Sequence, residues 1–156
     1  MSLNDQGSLE RIVVIIPTYN EAENLPLIVQ RVRTAVPTVD ILVADDNSPD
    51  GTGKLADSIA ERSPFVHVEH RPAKLGLGTA YRFAFTQPII DSFDYIIQMD
   101  SDFSHEPEQI PNFVKELSGN SDFVIGSRYV PGGNIPNWSV GRKLLSRFGN
   151  RYIRFM

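Results

Sequence analysis

The sequence predicts one α/β domain built on a doubly wound, mostly parallel sheet with helices on both faces. Three observations support this prediction. Short apolar runs rich in β-branched residues alternate with helical stretches. A chain of 156 residues with 41% hydrophobic content is long enough for one compact core and too short for two ordinary domains. The chain has no cysteine, which excludes disulfide scaffolds, thiolate zinc sites and cysteine nucleophiles.

The elements follow one another as strand and helix in turn. Pro37 ends the first helical stretch before the second strand, and Pro107 stands near the first turn of the fourth helix. Strands are predicted at residues 11–16, 40–44, 66–69, 94–99 and 122–126. The intervening helices are predicted at residues 21–35, 51–62, 75–86 and 106–117.

The two ends of the chain differ from this pattern. Residues 1–10 are polar and small, and we expect a disordered or cloning-derived start that lies outside the fold. We expect residues 11–128 to form the domain and residues 129–156 to form a loop and a helix. Two glycines and two prolines mark the loop. An apolar stripe then recurs every four residues, which predicts an amphipathic helix containing Val140, Leu144, Leu145, Phe148, Tyr152 and Ile153.

Charge is distributed unevenly along the chain. All 19 acidic residues lie at or before Asp122, although the net charge is only −4. Six basic residues and no acid follow, which indicates a C-terminal part that contacts something anionic; the alternative is a solvated basic face.

No run approaches the roughly 18 apolar residues that span a bilayer, and the start lacks a secretion signal. We therefore expect a cytoplasmic protein without a membrane span.

Polar segments follow four of the predicted strands. They read PTYNE from Pro17, ADDNSPDGT from Ala44, QMDSDFSH from Gln98 and GSRY from Gly126. In an open parallel sheet, ligands bind beyond the carboxyl ends of the strands. Any one of these segments is explained equally well by turns and helix caps. Their convergence on one rim of one sheet favours a binding site.

Asp100 and Asp102 are the strongest local signal. Two carboxylates one residue apart at a strand end can approach one divalent cation, and oxygen ligands suit Mg²⁺ or Mn²⁺. Such a cation bridges phosphate oxygens and neutralises a departing diphosphate. The alternative is that both aspartates only cap the following helix.

The segment after the second strand can meet a nucleotide. Asp45 follows a buried strand, where a carboxylate can accept hydrogen bonds from a base edge. Tyr19 offers a flat surface for stacking, and Glu21 offers another acceptor. Residues 46–48 are also suited to a turn that caps the next helix, and we expect both uses, with Asp45 as the ligand contact.

In this order and spacing, PTYNE, DDNSPDGT, MDSDFSH and GSRY resemble family 2 glycosyltransferases of the GT-A fold, and within them the dolichol-phosphate mannosyltransferase branch. The resemblance covers nearly everything from Arg11 onward. The family domain is several tens of residues longer, so the chain resembles a C-terminally truncated member. Within this resemblance, residues 11–128 are the nucleotide-sugar-binding domain and residues 129–156 are the acceptor-side loop and helix.

The resemblance implies roles for individual residues. The nucleotide-holding positions are Pro17, Tyr19, Glu21, Val43 and Asp45. Asp100 and Asp102 would carry the metal with the diphosphate, and Ser101 would lie against the donor. Ser104 stands where the family commonly has a metal-ligating glutamine, and because a serine is a poorer ligand, a water can replace that contact. Asp102 and Arg128 would be the catalytic residues and would also contact the nucleotide sugar, and the acceptor phosphate would be received by Arg128, Arg142 and Ser146.

The resemblance implies an inverting enzyme that transfers a sugar, with mannose from GDP-mannose favoured, to a polyprenyl phosphate. Its partners would be the nucleotide sugar, the lipid phosphate and the inner membrane surface as a peripheral protein, with no nucleic acid. A phosphate acceptor is largely dianionic at neutral pH because its second pKa is near 6, so it attacks without a general base. The apolar stripe of the terminal helix would then lie on the membrane surface. Alternatively, the stripe would pack against the core of the domain.

Other functions remain open. They are a glucosyltransferase that uses UDP-glucose, a polysaccharide synthase and a truncated donor-binding module without turnover. The synthases carry a Q-x-x-R-W motif, which this chain lacks. A dinucleotide-dependent dehydrogenase is excluded because no G-x-G-x-x-G follows the first strand.

Overall fold

The computed structural model describes residues 11–119, 121–127 and 140–156. The chain forms two compact units that divide between Asp122 and Phe123. In the described part of the first unit, the strands form one parallel sheet in the order β3-β2-β1-β4. The strands are β1 (Ile12–Thr18), β2 (Asp40–Asp45), β3 (Val66–His70) and β4 (Tyr95–Gln98).

The helices of the first unit connect these parallel strands. Short 3-10 helices at Pro88–Ser92 and Pro107–Gln109 precede β4 and the last helix. The helices are α1 (Leu25–Ala35), α2 (Thr52–Ala60), α3 (Leu77–Phe85) and α4 (Ile110–Leu117).

Both faces of the sheet are covered. Side chains alternate along a strand, so Val14 and Ile16 of β1 face one side while Val13 and Ile15 face the other. α1, α2 and α4 pack on the first side, and α3 with the Pro88–Ser92 helix packs on the second. Because both sides are buried, β1 is a continuous apolar run, as predicted. The predicted fold class, a doubly wound sheet with helices on both faces, is confirmed.

Three element predictions were wrong in detail. Residues 122–126 form no strand in the described chain, and Phe123 and Ile125 are 75% and 76% exposed. An apolar β-branched composition favours a strand, but a strand also requires a hydrogen-bonded neighbour. The first helix begins at Leu25 rather than at residue 21, after a turn at residues 22–24. The fourth helix begins at Ile110 rather than at residue 106, because the preceding residues Pro107–Gln109 form a 3-10 turn.

The second unit contains the predicted amphipathic helix, α5 (Val140–Phe155). The stripe residues whose side chains are described lie exposed, with Leu145 and Phe148 at 76% and 74%. Searched over the described residues, no helix is both long and apolar enough to cross a membrane. The predicted domain boundary after residue 128 stays a prediction.

Candidate functional site

A cavity of about 250 Å³ opens at the carboxyl ends of β1, β2 and β4. The connections from β1 run through β2 to β3 on one side, and β4 lies on the other side of β1, so this is the point at which the strand order reverses. Such a point is where open α/β sheets bind ligands. The cavity is lined by Pro17, Thr18, Tyr19, Glu21, Asp46, Lys74, Gly76, Leu77, Ala80, Asp100, Ser101 and Asp102.

The loop between β1 and α1 is tied to the loop between β2 and α2. Asn20 has a positive φ of 60° and its N–H donates to Ser48 Oγ at 3.0 Å. The N–H of Glu21 donates to Thr52 Oγ1 at 2.9 Å. These bonds hold the tight turn that sets Tyr19 and Glu21, both partly exposed, at the rim of the cavity.

Asp45 lies behind the cavity rather than in its lining. Its buried carboxylate accepts hydrogen bonds from Thr18 Oγ1 at 3.2 Å, Ser48 N at 3.1 Å and Ser48 Oγ at 2.6 Å. Gly53 approaches so closely that a Cβ there would stand 2.8 Å from Asp45 Oδ2. Val43 is fully buried in the core. The carboxylate of Asp45 therefore holds the turn between β2 and α2 in place. A turn at residues 46–48 is the structural role that the sequence also suggested for this segment.

Asp46, the next residue, lines the cavity and holds a second loop in place. Its carboxylate forms a buried ion pair with the guanidinium of Arg71 and accepts the N–H of Leu75 at 3.3 Å. Arg71 also donates to Thr79 Oγ1 at 2.7 Å, at the start of α3. One buried pair thus anchors residues 71–76 against the β2 loop.

This anchored loop brings Lys74 to the cavity. Its ammonium nitrogen lies 4.0 Å from the centroid of the Tyr19 ring, within the range of a cation–π contact. Gly76, with φ of 97° and ψ of 153°, takes a conformation that only glycine adopts readily, and this ends the loop before α3. Among the lining residues that the structure describes, Lys74 is the one basic side chain.

Asp100 follows β4 and faces the cavity, with its side chain 31% exposed. Its Oδ1 accepts a hydrogen bond from the hydroxyl of Tyr81 at 3.0 Å, and its N–H donates to His105 Nδ1 at 3.1 Å. Burial, together with the charge of Asp100 and this hydrogen bond, raises the pKa of Tyr81, so the phenol is a protonated donor. Ser101 is buried with its Oγ 3.5 Å from the carbonyl oxygen of Pro17.

Asp102 is exposed at the mouth of the cavity. Its Oδ1 accepts the N–H of Ser104 at 2.9 Å. Hydrogen bonds from the Ser104 hydroxyl and from the same N–H hold the pKa of Asp102 below its usual value. Phe103 between them has a positive φ of 58°, an uncommon conformation for a bulky residue, and packs against the core under the guanidinium of Arg31.

The two carboxylates fit a divalent cation that keeps waters. Within the residues that the structure describes, no group of three or more His, Asp or Glu side chains is arranged to hold a metal ion. Mg²⁺ is often bound through one or two carboxylates, with waters and substrate phosphates as the remaining ligands. Asp100 and Asp102 around one open cavity supply that donor set.

The structure brings together six of the residues expected at the site. Ser104 is exposed and does not line the cavity, and Ser146 is on α5 in the second unit. Arg128 lies outside the described residues, as does the side chain of Arg142, whose backbone belongs to α5. The six that share the cavity are Pro17, Tyr19, Glu21, Asp100, Ser101 and Asp102.

Sequence reasoning missed three contributors, which are Lys74, Tyr81 and the pair of Asp46 with Arg71. The segment KLGLGTA spans residues 74–80. Its glycines and its lysine after the third strand were the available signal for a cavity loop. No local pattern indicated that Tyr81 reaches Asp100, since that contact joins a helix to a distant strand end.

Comparison with known proteins places these features in a family. The profile described as "Glycosyl transferase family 2" matches residues 13–156. The chain is 51% identical over 148 residues to a polyprenol monophosphomannose synthase of Mycolicibacterium smegmatis, covering 94% of the chain and 56% of that protein. It is 50% identical over 146 residues to an undecaprenyl-phosphate mannosyltransferase of Micrococcus luteus, covering 94% of the chain and 60% of that protein.

A third relative, a dolichol-phosphate mannosyltransferase of Pyrococcus furiosus, is 40% identical over 139 residues, covering 88% of the chain and 38% of that protein. The chain thus spans 38% to 60% of the length of these relatives.

Solved structures agree on the fold. A mannosyltransferase of Pyrobaculum calidifontis, solved in complex with GDP-Man and Mn²⁺, superposes with a TM-score of 0.58 at 23% identity, covering 72% of this chain and 34% of that one. The S. aureus TarS fragment 1–349 superposes with a TM-score of 0.55 at 17% identity, covering 78% and 40%. The sheet has the GT-A fold, and the chain belongs to glycosyl transferase family 2.

Proposed function

We propose that this chain is the donor-binding part of a metal-dependent, inverting glycosyltransferase that moves mannose from GDP-mannose to a polyprenyl phosphate. One observation carries the proposal: Asp100 and Asp102 share a cavity with Tyr19, Glu21 and Lys74 at the switch point of the sheet. Such a cavity offers an aromatic face and an acceptor for a nucleoside and positive charge for a diphosphate. The names of the relatives favour mannose and a lipid phosphate.

The nucleotide is assigned to the β1 and β2 side of the cavity. Tyr19 and Glu21 meet the nucleoside, with Pro17 beneath them. Val43 and Asp45 remain part of the proposed nucleotide-binding set, and they lie behind the residues that line the cavity. The carboxylate of Asp45 already accepts bonds from Thr18 and Ser48 and is buried behind the lining, so direct contact with a base requires this turn to move.

The diphosphate is assigned to the part of the cavity that is lined by Asp100, Asp102 and Lys74. A divalent cation, Mg²⁺ or Mn²⁺, would neutralise the charge that develops on the departing diphosphate. The pKa of Asp102 is held below its usual value, so this carboxylate is ionised at neutral pH as an ordinary aspartate is. Ser101, buried between the two aspartates, lies against the donor, and Ser104 acts through its bonds to Asp102.

The acceptor phosphate attacks the anomeric carbon from the side opposite the diphosphate, which inverts that centre. A phosphate dianion requires no general base, but it requires positive charge to hold it beside an anionic donor. Arg128, Arg142 and Ser146 are proposed for this task on the family resemblance. The exposed stripe of α5 is proposed to lie on the cytoplasmic surface of a membrane, as a peripheral contact.

Calorimetry and transfer assays test the proposal. GDP should bind in the presence of Mg²⁺ or Mn²⁺ and weaken in EDTA, and labelled GDP-mannose should label a polyprenyl phosphate but not a soluble saccharide. Asp102→Ala should abolish transfer, while Arg142→Ala should weaken use of the acceptor with GDP binding retained. Full transfer by the Asp102→Ala variant would contradict the assignment.

The same measurements separate a second candidate, a donor-binding module without turnover. This candidate is favoured by the cavity itself, because the lining residues Tyr19, Glu21 and Asp100 are all assigned to the donor. It predicts metal-dependent GDP binding with no transfer on the same sample. Stronger binding of UDP than of GDP would instead indicate a glucosyltransferase that uses UDP-glucose.

A further inference from the structure

We propose that Tyr81 is a positioning residue that fixes the orientation of the Asp100 carboxylate toward the bound cation. The inference rests on the proposed function, because it concerns the same metal site. Tyr81 belongs to no motif by which the family was recognised, and its role follows from a contact between α3 and the end of β4.

The contact approaches Asp100 from the protein side. The hydroxyl of Tyr81 donates to Asp100 Oδ1 at 3.0 Å. Asp100 lines the cavity and Tyr81 does not. The Tyr81 ring is packed against the core on the α3 side of the sheet, with its centroid 6.5 Å from that of Phe85. The phenol is thus held by its own packing, independently of any ligand.

The bond matters because an aspartate carboxylate otherwise rotates easily. The terminal torsion of an aspartate is broad and roughly two-fold, so backbone position alone does not set where its oxygens face. At Asp100 the backbone is set separately by the bond from its N–H to His105 Nδ1 at 3.1 Å. Tyr81 engages one carboxylate oxygen and leaves lone pairs on the other for a cation.

Asp102 is restrained in a comparable way, since its Oδ1 accepts the N–H of Ser104 at 2.9 Å. Each carboxylate of the pair therefore accepts at least one hydrogen bond from a protein donor. Outer contacts of this kind are typically worth about 10- to 100-fold in metal affinity or activity. The Tyr81 hydroxyl should therefore act on cation affinity, with little effect on the nucleoside end of the cavity.

Tyr81→Phe tests this because it removes the hydroxyl and keeps the ring. Mn²⁺ affinity is measured by electron paramagnetic resonance at saturating GDP, and GDP affinity in EDTA is measured by calorimetry. We expect Mn²⁺ to bind about 10- to 100-fold more weakly in the variant, with GDP binding in EDTA unchanged. Tyr95→Phe, at the opposite end of β4, is the matched control and should leave both affinities unchanged.

Two further measurements separate positioning from a general effect on folding. In the Asp100→Asn background, adding Tyr81→Phe should change Mn²⁺ affinity by less than about twofold, because the partner carboxylate is already gone. In the wild-type protein, Mg²⁺ added to the GDP complex should shift the ¹³Cζ resonance of Tyr81 and leave that of Tyr95 in place. This second measurement does not depend on the variant folding.

The outcomes are distinct. A wild-type protein that binds no Mn²⁺ with GDP would remove the proposed function and this inference with it. Two results would overturn the inference and leave the proposed function standing. The first is that Tyr81→Phe binds Mn²⁺ as tightly as the wild-type protein does. The second is that Mg²⁺ does not shift the ¹³Cζ resonance of Tyr81 in a wild-type protein that binds Mn²⁺. The inference would also be overturned if Tyr81→Phe weakened Mn²⁺ binding as much in the Asp100→Asn background as in the wild-type protein, because Tyr81 would then act on the cation by another route.

Discussion

Replacing Arg71 with methionine is expected to destabilise the fold and to loosen the loop above the cavity. The variant keeps much of the apolar stem and removes the guanidinium. In the native protein the Arg71 and Asp46 side chains are only 3% and 7% exposed. Without its partner, the Asp46 carboxylate is a buried charge that retains the N–H of Leu75 at 3.3 Å. Thr79 also loses the bond that it accepts from Arg71 at 2.7 Å.

The magnitude follows from this burial. Removing one partner of a buried ion pair costs about 3–5 kcal/mol, because the other charge is left uncompensated. That is a large share of the roughly 5–15 kcal/mol by which folded domains are stable. For a chain of this size, 1 kcal/mol corresponds to about 2–4 °C in the melting temperature, so the variant should melt about 6–20 °C lower.

Arg31→Met is the matched control for the same chemistry at the surface. Arg31 pairs with Glu108 at 2.6 Å, but the two side chains are 40% and 54% exposed. Water replaces a surface pair readily, so the control should lose about 1 kcal/mol or less. Urea unfolding followed by circular dichroism gives both free energies. If Arg71→Met lost no more than Arg31→Met, the buried pair would not be what anchors the loop, and the reasoning above would be refuted.

Two further predictions concern the walls of the cavity. Gly53→Ala would place its Cβ 2.8 Å from Asp45 Oδ2. The free energy of unfolding in urea should therefore fall by about 1–3 kcal/mol. In the control Gly78→Ala, no atom lies within 4 Å of the added carbon, so the free energy of unfolding should not fall. Lys74→Met removes the ammonium 4.0 Å from the Tyr19 ring and should weaken GDP about tenfold in calorimetry while guanosine binds as before. An equal loss for guanosine would show that Lys74 does not meet the diphosphate, and unchanged stability of Gly53→Ala would show that the α2 contact with Asp45 is not tight.

The sheet was predictable because its strands are short, buried on both faces and separated by helices. That arrangement leaves a local signature, as in the run Ile12 to Ile16, in which every residue is apolar. Residues 122–126 have a similar composition and form no strand, because pairing depends on a neighbouring strand that the local sequence does not specify. Element boundaries also shifted, as at α1, which begins at Leu25 after a turn at residues 22–24.

The candidate site was predictable in part for a related reason. Parallel strands put their carboxyl ends on one rim, so polar residues after β1 and β4 converge without further information, and Tyr19, Asp100 and Asp102 do line one cavity. Which of two adjacent aspartates faces that cavity is a different question. Asp45 turns inward to Thr18 and Ser48 while Asp46 lines the cavity, and this depends on the turn geometry and on Arg71.

The sequence by itself determined the layered α/β architecture, the sheet rim as the place for chemistry and the identity of the carboxylates there, since periodicity and strand ends are local properties of the chain. The tertiary structure decided which side chains support those carboxylates. Tyr81 reaches Asp100 across 19 positions, and Arg71 reaches Asp46 across 25, through contacts that exist only once helices and loops pack against the sheet. A hydrogen bond needs two groups within about 3 Å, and for distant residues only the packed fold supplies that proximity.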